Sequence, residues 1–248
     1  MRGISKRDWI LIGISGFIGS FFPAYLFAMA QQGINSSTAG ILNSLTPLFA
    51  LLVGVLFFKF KAWWWNYLGI LITSIGTYGL LSISGGNAFE FNLKYGSLIV
   101  IAALGYGTQV NIIRYYLNHL PTLTILSCQF LITSIPAAFV LFGFTDFTNL
   151  ISLDSTFLKG MLYVSILALV ATAFALILFY RMVKIADPVF SASVTYFIPA
   201  VASLWGLFDG ENLGATYIIW VSTILFGVYL VNSKNIFKLP SFKKRTII

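Results

Sequence analysis

From Trp9 to Phe58 the chain carries no Asp, Glu, Lys or Arg. At about 20 residues per membrane span, this stretch holds two apolar helices joined by a short polar turn. No soluble architecture hides so long an uncharged segment beside further ones of the same kind. Across all 248 residues, 58% are hydrophobic and only 9% charged, with a mean hydropathy of +0.91. The expected solvent for most side chains is therefore lipid. In lipid, backbone polar groups must bond within the segment, which makes the expected fold all-α.

Apolar runs separated by polar breaks predict about eight spans: 9–29, 38–58, 64–84, 95–116, 122–144, 158–180, 189–208 and 215–232. The intervening loops are mostly short, as antiparallel neighbours in a helical bundle require. With the N-terminus placed in the cytoplasm, loop alternation puts Arg2, Lys6, Arg7, Lys59, Lys61, Arg114, Arg181 and Lys184 inside. Lys234, Lys238, Lys243, Lys244 and Arg245 join them, and only Lys94 and Lys159 fall outside. This asymmetry predicts a multi-pass protein of the cell membrane with both termini cytoplasmic. The net charge of +8 is thereby read as membrane orientation, with no nucleic-acid partner expected. The lone cysteine, Cys128, excludes an internal disulfide.

The chain also repeats itself. At an offset of 152 with no gap, Phe22 answers Phe174, Phe27 answers Phe179, Pro47 answers Pro199 and Gly54 answers Gly206. A one-residue deletion then aligns Gly76 with Gly227 and Tyr78 with Tyr229. Under the span count, corresponding helices cross the membrane in opposite directions. Inverted repeats are the architecture of secondary transporters, whose substrate sites lie where the halves meet. Three helices stand in the first copy and five in the second, because nothing before Trp9 answers spans 95–116 and 122–144.

Further residues carry a family resemblance. A small and polar run enters a helix at Ser36-Ser37-Thr38-Ala39-Gly40 and leads through Asn43-Ser44-Leu45-Thr46 to Pro47, followed by Gly69 and Gly76. The second copy has Ala186-Asp187-Pro188-Val189, then Tyr196-Phe197-Ile198-Pro199, Gly206, Glu211 and Gly227. In this order and spacing the chain resembles the EamA family of the drug/metabolite transporter superfamily, from about Trp9 to Asn232. The resemblance implies two inverted five-helix repeats, here as a 3+5 arrangement. Residues 1–84 would form a shortened first repeat, 95–232 the second, and 233–248 a basic cytoplasmic tail. Lys59 stands where many members carry Glu. The resemblance also implies export or exchange of a small metabolite, amino-acid-like, amine or drug-like. A truncated or non-transporting subunit, completed by a partner or by two further N-terminal helices, is the alternative.

Polar groups within spans face the bundle interior or a water-filled cavity, since lipid cannot satisfy them. The candidate pathway residues are accordingly Asn43, Thr46 and Pro47 in the first copy and Thr195, Tyr196 and Pro199 in the second. Tyr106 and Gln109 join them from one face of span 95–116. Proline inside a helix frees a carbonyl that either a ligand or a neighbouring hydroxyl can use. Gly13, Gly16 and Gly19 fall on one side of the first span and predict close packing there. The expected partners are a small-molecule substrate and the bilayer, and a homodimer is compatible with the sequence. Enzymatic chemistry is not expected, and neither is a metal or cofactor. His119 lies in a loop beside Pro121, and neither an HExxH nor a GxSxG motif occurs.

Overall fold

A computed structural model describes residues 4–34, 36–84, 93–151, 154–198 and 215–237. These residues are mostly helical, with no strand among them. We label the helices α1 (Lys6–Ala30), α2 (Ser36–Asn43), α3 (Thr46–Phe58), α4 (Trp64–Ser84), α5 (Leu93–Tyr115), α6 (Thr122–Phe144), α7 (Ser155–Ile185), α8 (Pro188–Ser193) and α9 (Ala215–Phe237). α1, α5, α6 and α7 are each long and apolar enough to cross a membrane. Large apolar side chains such as Leu56, Phe57, Ile135, Phe139 and Leu169 are exposed. Ser15, Thr73, Gln109, Asn111, Gln129 and Ser191 are buried. This inversion of the soluble pattern is what a lipid solvent selects.

The segment expected as one span over 38–58 is two helices, broken at Ser44–Leu45. Pro47 occupies the first turn of α3 rather than the middle of a continuous helix. A proline in the first turn costs little, because its missing N–H has no partner there anyway. The carbonyl it leaves free, that of Asn43, accepts from the Thr46 hydroxyl at 2.8 Å. The equivalent segment of the second copy is broken within two residues of the same register, where α8 gives way to a 3-10 turn at Val194–Tyr196. The seventh predicted span can be followed only to 198, so Pro199 and Gly206 lie outside the described residues. The sixth span is longer than expected, running as α7 from Ser155 to Ile185.

Two further irregularities obey the repeat. α1 widens to a π-helix at Phe17–Phe21, and α7 does so at Leu167–Phe174. The 152-residue offset maps the first of these inside the second. In α1 the Phe22 N–H reaches back five residues to the Phe17 carbonyl. Such bulges re-aim a short stretch of side chains and are common at functional sites.

α5 is central, packed on α1 and α3, while α9 lies along α4. The latter pair is held together by glycine. A Cβ on Gly69 would stand 2.7 Å from the Gly227 carbonyl oxygen, and one on Gly76 would stand 2.9 Å from Ile224 Cγ1. Gly76 and Gly227 are equivalent in the repeat, so the final helices of the two copies pack through matching small residues. Asn66 Nδ2 donates to the Val231 carbonyl at 2.7 Å across the same interface. By contrast, the first part of α7, from Ser155 through Phe174, is exposed nearly throughout.

α3 ends at Lys59, which adopts a left-handed conformation at φ 56°. A side chain crowds the backbone there, and glycine does not. Lys59→Gly is expected to raise the unfolding free energy by about 0.5–1 kcal/mol, measured as a higher melting temperature in detergent.

Candidate functional site

A cavity of about 780 Å³ opens among α1, α5, α6, α7 and the 3-10 turn after α8. Both π segments reach it. Gly19, Ser20 and Phe21 line it from α1, and Ala171 and Thr172 line it from α7. The repeat pairs Gly19 with Ala171, Ser20 with Thr172 and Ala24 with Leu176, and all six are lining residues. The cavity is therefore built from corresponding parts of the two copies. Tyr106 contributes from α5, Phe130 and Thr133 from α6, and Val194, Thr195 and Ile198 from the second helix break.

One end of this cavity is floored by a buried hydrogen-bond network joining four helix segments. Gln109 Nε2 of α5 donates to the Tyr180 hydroxyl of α7 at 2.8 Å and to the Ser15 carbonyl of α1 at 3.0 Å. The Tyr180 hydroxyl donates to Gln129 Oε1 of α6 at 2.8 Å. Gln129 Nε2 donates to Ser15 Oγ at 2.6 Å, and Ser15 Oγ donates to the Ile12 carbonyl at 3.0 Å. Every member is satisfied, so the network adds rigidity without orphaned polar groups. In α1 and α6 its residues precede the lining residues, while in α5 and α7 Gln109 and Tyr180 follow them. Helices of alternating direction thus place all four on the same side of the cavity. That side is the basic end of the bundle. There His119 Nε2 lies 3.3 Å from Asp8 Oδ2, Arg7 sits over the Tyr116 ring, and Lys184 Nζ donates to the Leu120 carbonyl.

The sequence candidates separate into distinct places. Tyr106 and Thr195 line the cavity. Gln109 is 3% exposed and committed to the network beneath it. Asn43, Thr46 and Pro47 lie off the cavity at the α2–α3 break, where Thr46 also bonds the Asn43 side chain at 3.2 Å. Tyr196 is fully buried, with its hydroxyl near Ser74. Asn111 serves packing: its Nδ2 donates to the Ala50 carbonyl at 2.9 Å, where α5 crosses α3. Sequence reasoning passed over Ser15, Ser20, Thr172 and Tyr180. The offset that paired Phe22 with Phe174 also pairs Ser20 with Thr172, and this was the available signal.

The family model for the EamA-like transporter family matches residues 1–82 and again residues 93–233. The chain belongs to the EamA-like transporter family. As a member of this family it is a multi-pass membrane protein of a family of small-molecule transporters. The second match exceeds the first by the length of two spans, the same asymmetry seen in the repeat. A crystal structure of a protein 16% identical in sequence superposes with a TM-score of 0.74, covering 94% of this chain and 78% of that one. That likeness is one of fold. No functionally curated protein matches the chain.

Proposed function

We propose that this EamA-like protein is a secondary transporter that exports or exchanges a small metabolite by alternating access between two inverted repeats. The observation that carries this reading is the cavity lined by repeat-equivalent residues of α1 and α7, each at a π segment. Inverted-repeat transporters place their substrates at such an interface, often where helices are discontinuous. Rocking of one copy against the other changes which end of the cavity is open. The distribution of Lys and Arg supports a cell-membrane location with the basic end, including both termini, in the cytoplasm. The hydrogen-bonded floor then closes the cytoplasmic side. Tyr106 and Thr195 are the members of the original candidate set that would meet a substrate directly.

The test compares small molecules released into the medium by cells expressing the wild type, Ala171→Trp or Ile10→Trp. Ala171→Trp fills the cavity, whereas Ile10 is an exposed residue of α1. Ala171→Trp is expected to abolish the release that distinguishes expressing from non-expressing cells, and Ile10→Trp to retain it. Equal release by both variants would remove the cavity from the pathway. A second reading, a membrane subunit completed by a partner, draws on the bare stretch of α7 from Ser155 to Phe174. Flux in vesicles containing the purified chain alone separates the two.

A further inference from the structure

We propose that the cavity takes an aromatic organic amine, bound as its ammonium form. This rests on the transporter reading and narrows its substrate class. Among the described lining residues none is Lys, Arg, His, Asn, Gln or Trp, so no side-chain N–H faces a guest. The hydroxyl protons are largely committed as well. Thr133 donates to the Gln129 carbonyl, Ser134 to Leu131, Thr172 to Leu167 and Thr195 to Ala192, at 2.9, 3.0, 3.2 and 2.9 Å. What these four groups retain for a ligand is lone pairs.

The remaining chemistry is aromatic. Phe21, Tyr25, Tyr106, Phe130 and Phe179 line the cavity from four helices. Ring faces carry negative potential and attract cations, most effectively weakly hydrated ones. Lone pairs and ring faces together suit a guest that donates hydrogen bonds and bears positive charge. Among the described lining groups a carboxylate or phosphate would find few donors beyond the Tyr25 and Tyr106 hydroxyls, and burying an underpaired anion is costly. Among the described lining residues none is a carboxylate that offers a fixed counter-charge, which disfavours a strongly hydrated primary alkylammonium and favours an amine whose substituents shield the charge. The apolar body of such a ligand fills the space beside Ala24, Ala137, Ala175 and Leu176.

Three probes of matched shape test this on the purified full chain in detergent, by calorimetry: N,N-dimethylphenethylamine, 2-phenylethanol and phenylacetate. The amine is expected to bind at least about tenfold more tightly than phenylacetate, with the alcohol between them. Tyr106→Leu and Phe130→Leu should each weaken the amine by about threefold to tenfold while changing the alcohol little. Melting temperatures establish that both variants are folded. Phenylacetate binding as tightly as the amine, the alcohol binding more tightly, or no binding by any of the three overturns the proposal. So does amine binding that both variants leave unchanged. Amine binding is measured without flux, so its failure leaves transport standing, and loss of transport leaves the binding result intact.

Discussion

Gly227→Leu is expected to lower the unfolding free energy by about 3 kcal/mol or more and to leave little folded protein in the membrane. Even a Cβ at this position would lie 2.7 Å from the Thr73 backbone nitrogen and 2.8 Å from the Gly69 carbonyl oxygen. The obstruction is backbone on a facing helix, so no side-chain rotation relieves it. α4 and α9 would have to separate, losing the close packing that holds membrane helices together where lipid supplies no hydrophobic drive. Gly143→Leu is the matched control, since a Cβ there meets nothing within 4 Å. The chain supplies its own reporter in Cys128, which is free and buried. A thiol-reactive dye added during heating detects unfolding through that residue. A melting curve for Gly227→Leu that coincides with the control would show that α4 and α9 do not pack through glycine.

The second large effect is expected at the floor of the cavity. Tyr180→Phe deletes one oxygen and two hydrogen bonds, those with Gln109 and Gln129. Gln129 Oε1 then stands buried without its donor, and the cost is about 1–3 kcal/mol. Interhelical bonds in membranes average less than this when both partners are removed, roughly 0.6 kcal/mol. Gln109→Leu combined with Gln129→Leu and Tyr180→Phe is therefore expected to destabilise by less than the sum of the three single changes. Non-additivity of this sign distinguishes a connected network from three independent contacts. Additive losses in the same melting assay would dismantle the network interpretation.

These expectations differ in how much of them the sequence foretold. The edges of α4 and α6 match the predicted spans 64–84 and 122–144, because an apolar run in lipid has few ways to satisfy its backbone. The glycines at 13, 16 and 19 were expected at a packing face. A Cβ on Gly16 would indeed stand 3.3 Å from the Gln129 and Thr133 side chains, and one on Gly19 would overlap Gln109. The α2–α3 break falls inside a segment that the sequence presents as one proline-bearing span. Proline restrains its own turn but does not by itself say whether a helix bends there or starts anew. Gln109 and Tyr106 share a face only approximately. Three residues along a helix turn the side chain by less than a full circle, and that difference separates the cavity wall from its floor.

Composition and charge distribution settled by themselves that this chain is a membrane helical bundle, and the internal offset that it is made twice. Those properties depend on local rules: transfer of side chains between water and lipid, and the periodic recurrence of small residues. Which polar groups reach the cavity was decided only by the tertiary structure. The helix rotations come from packing across distant segments, Gly19 against Gln109 and Gly69 against Gly227. The π segments add a local shift in register that no residue type announces. Ser20 and Thr172 thus became a matched pair facing one cavity through the packing of two helices more than 150 residues apart.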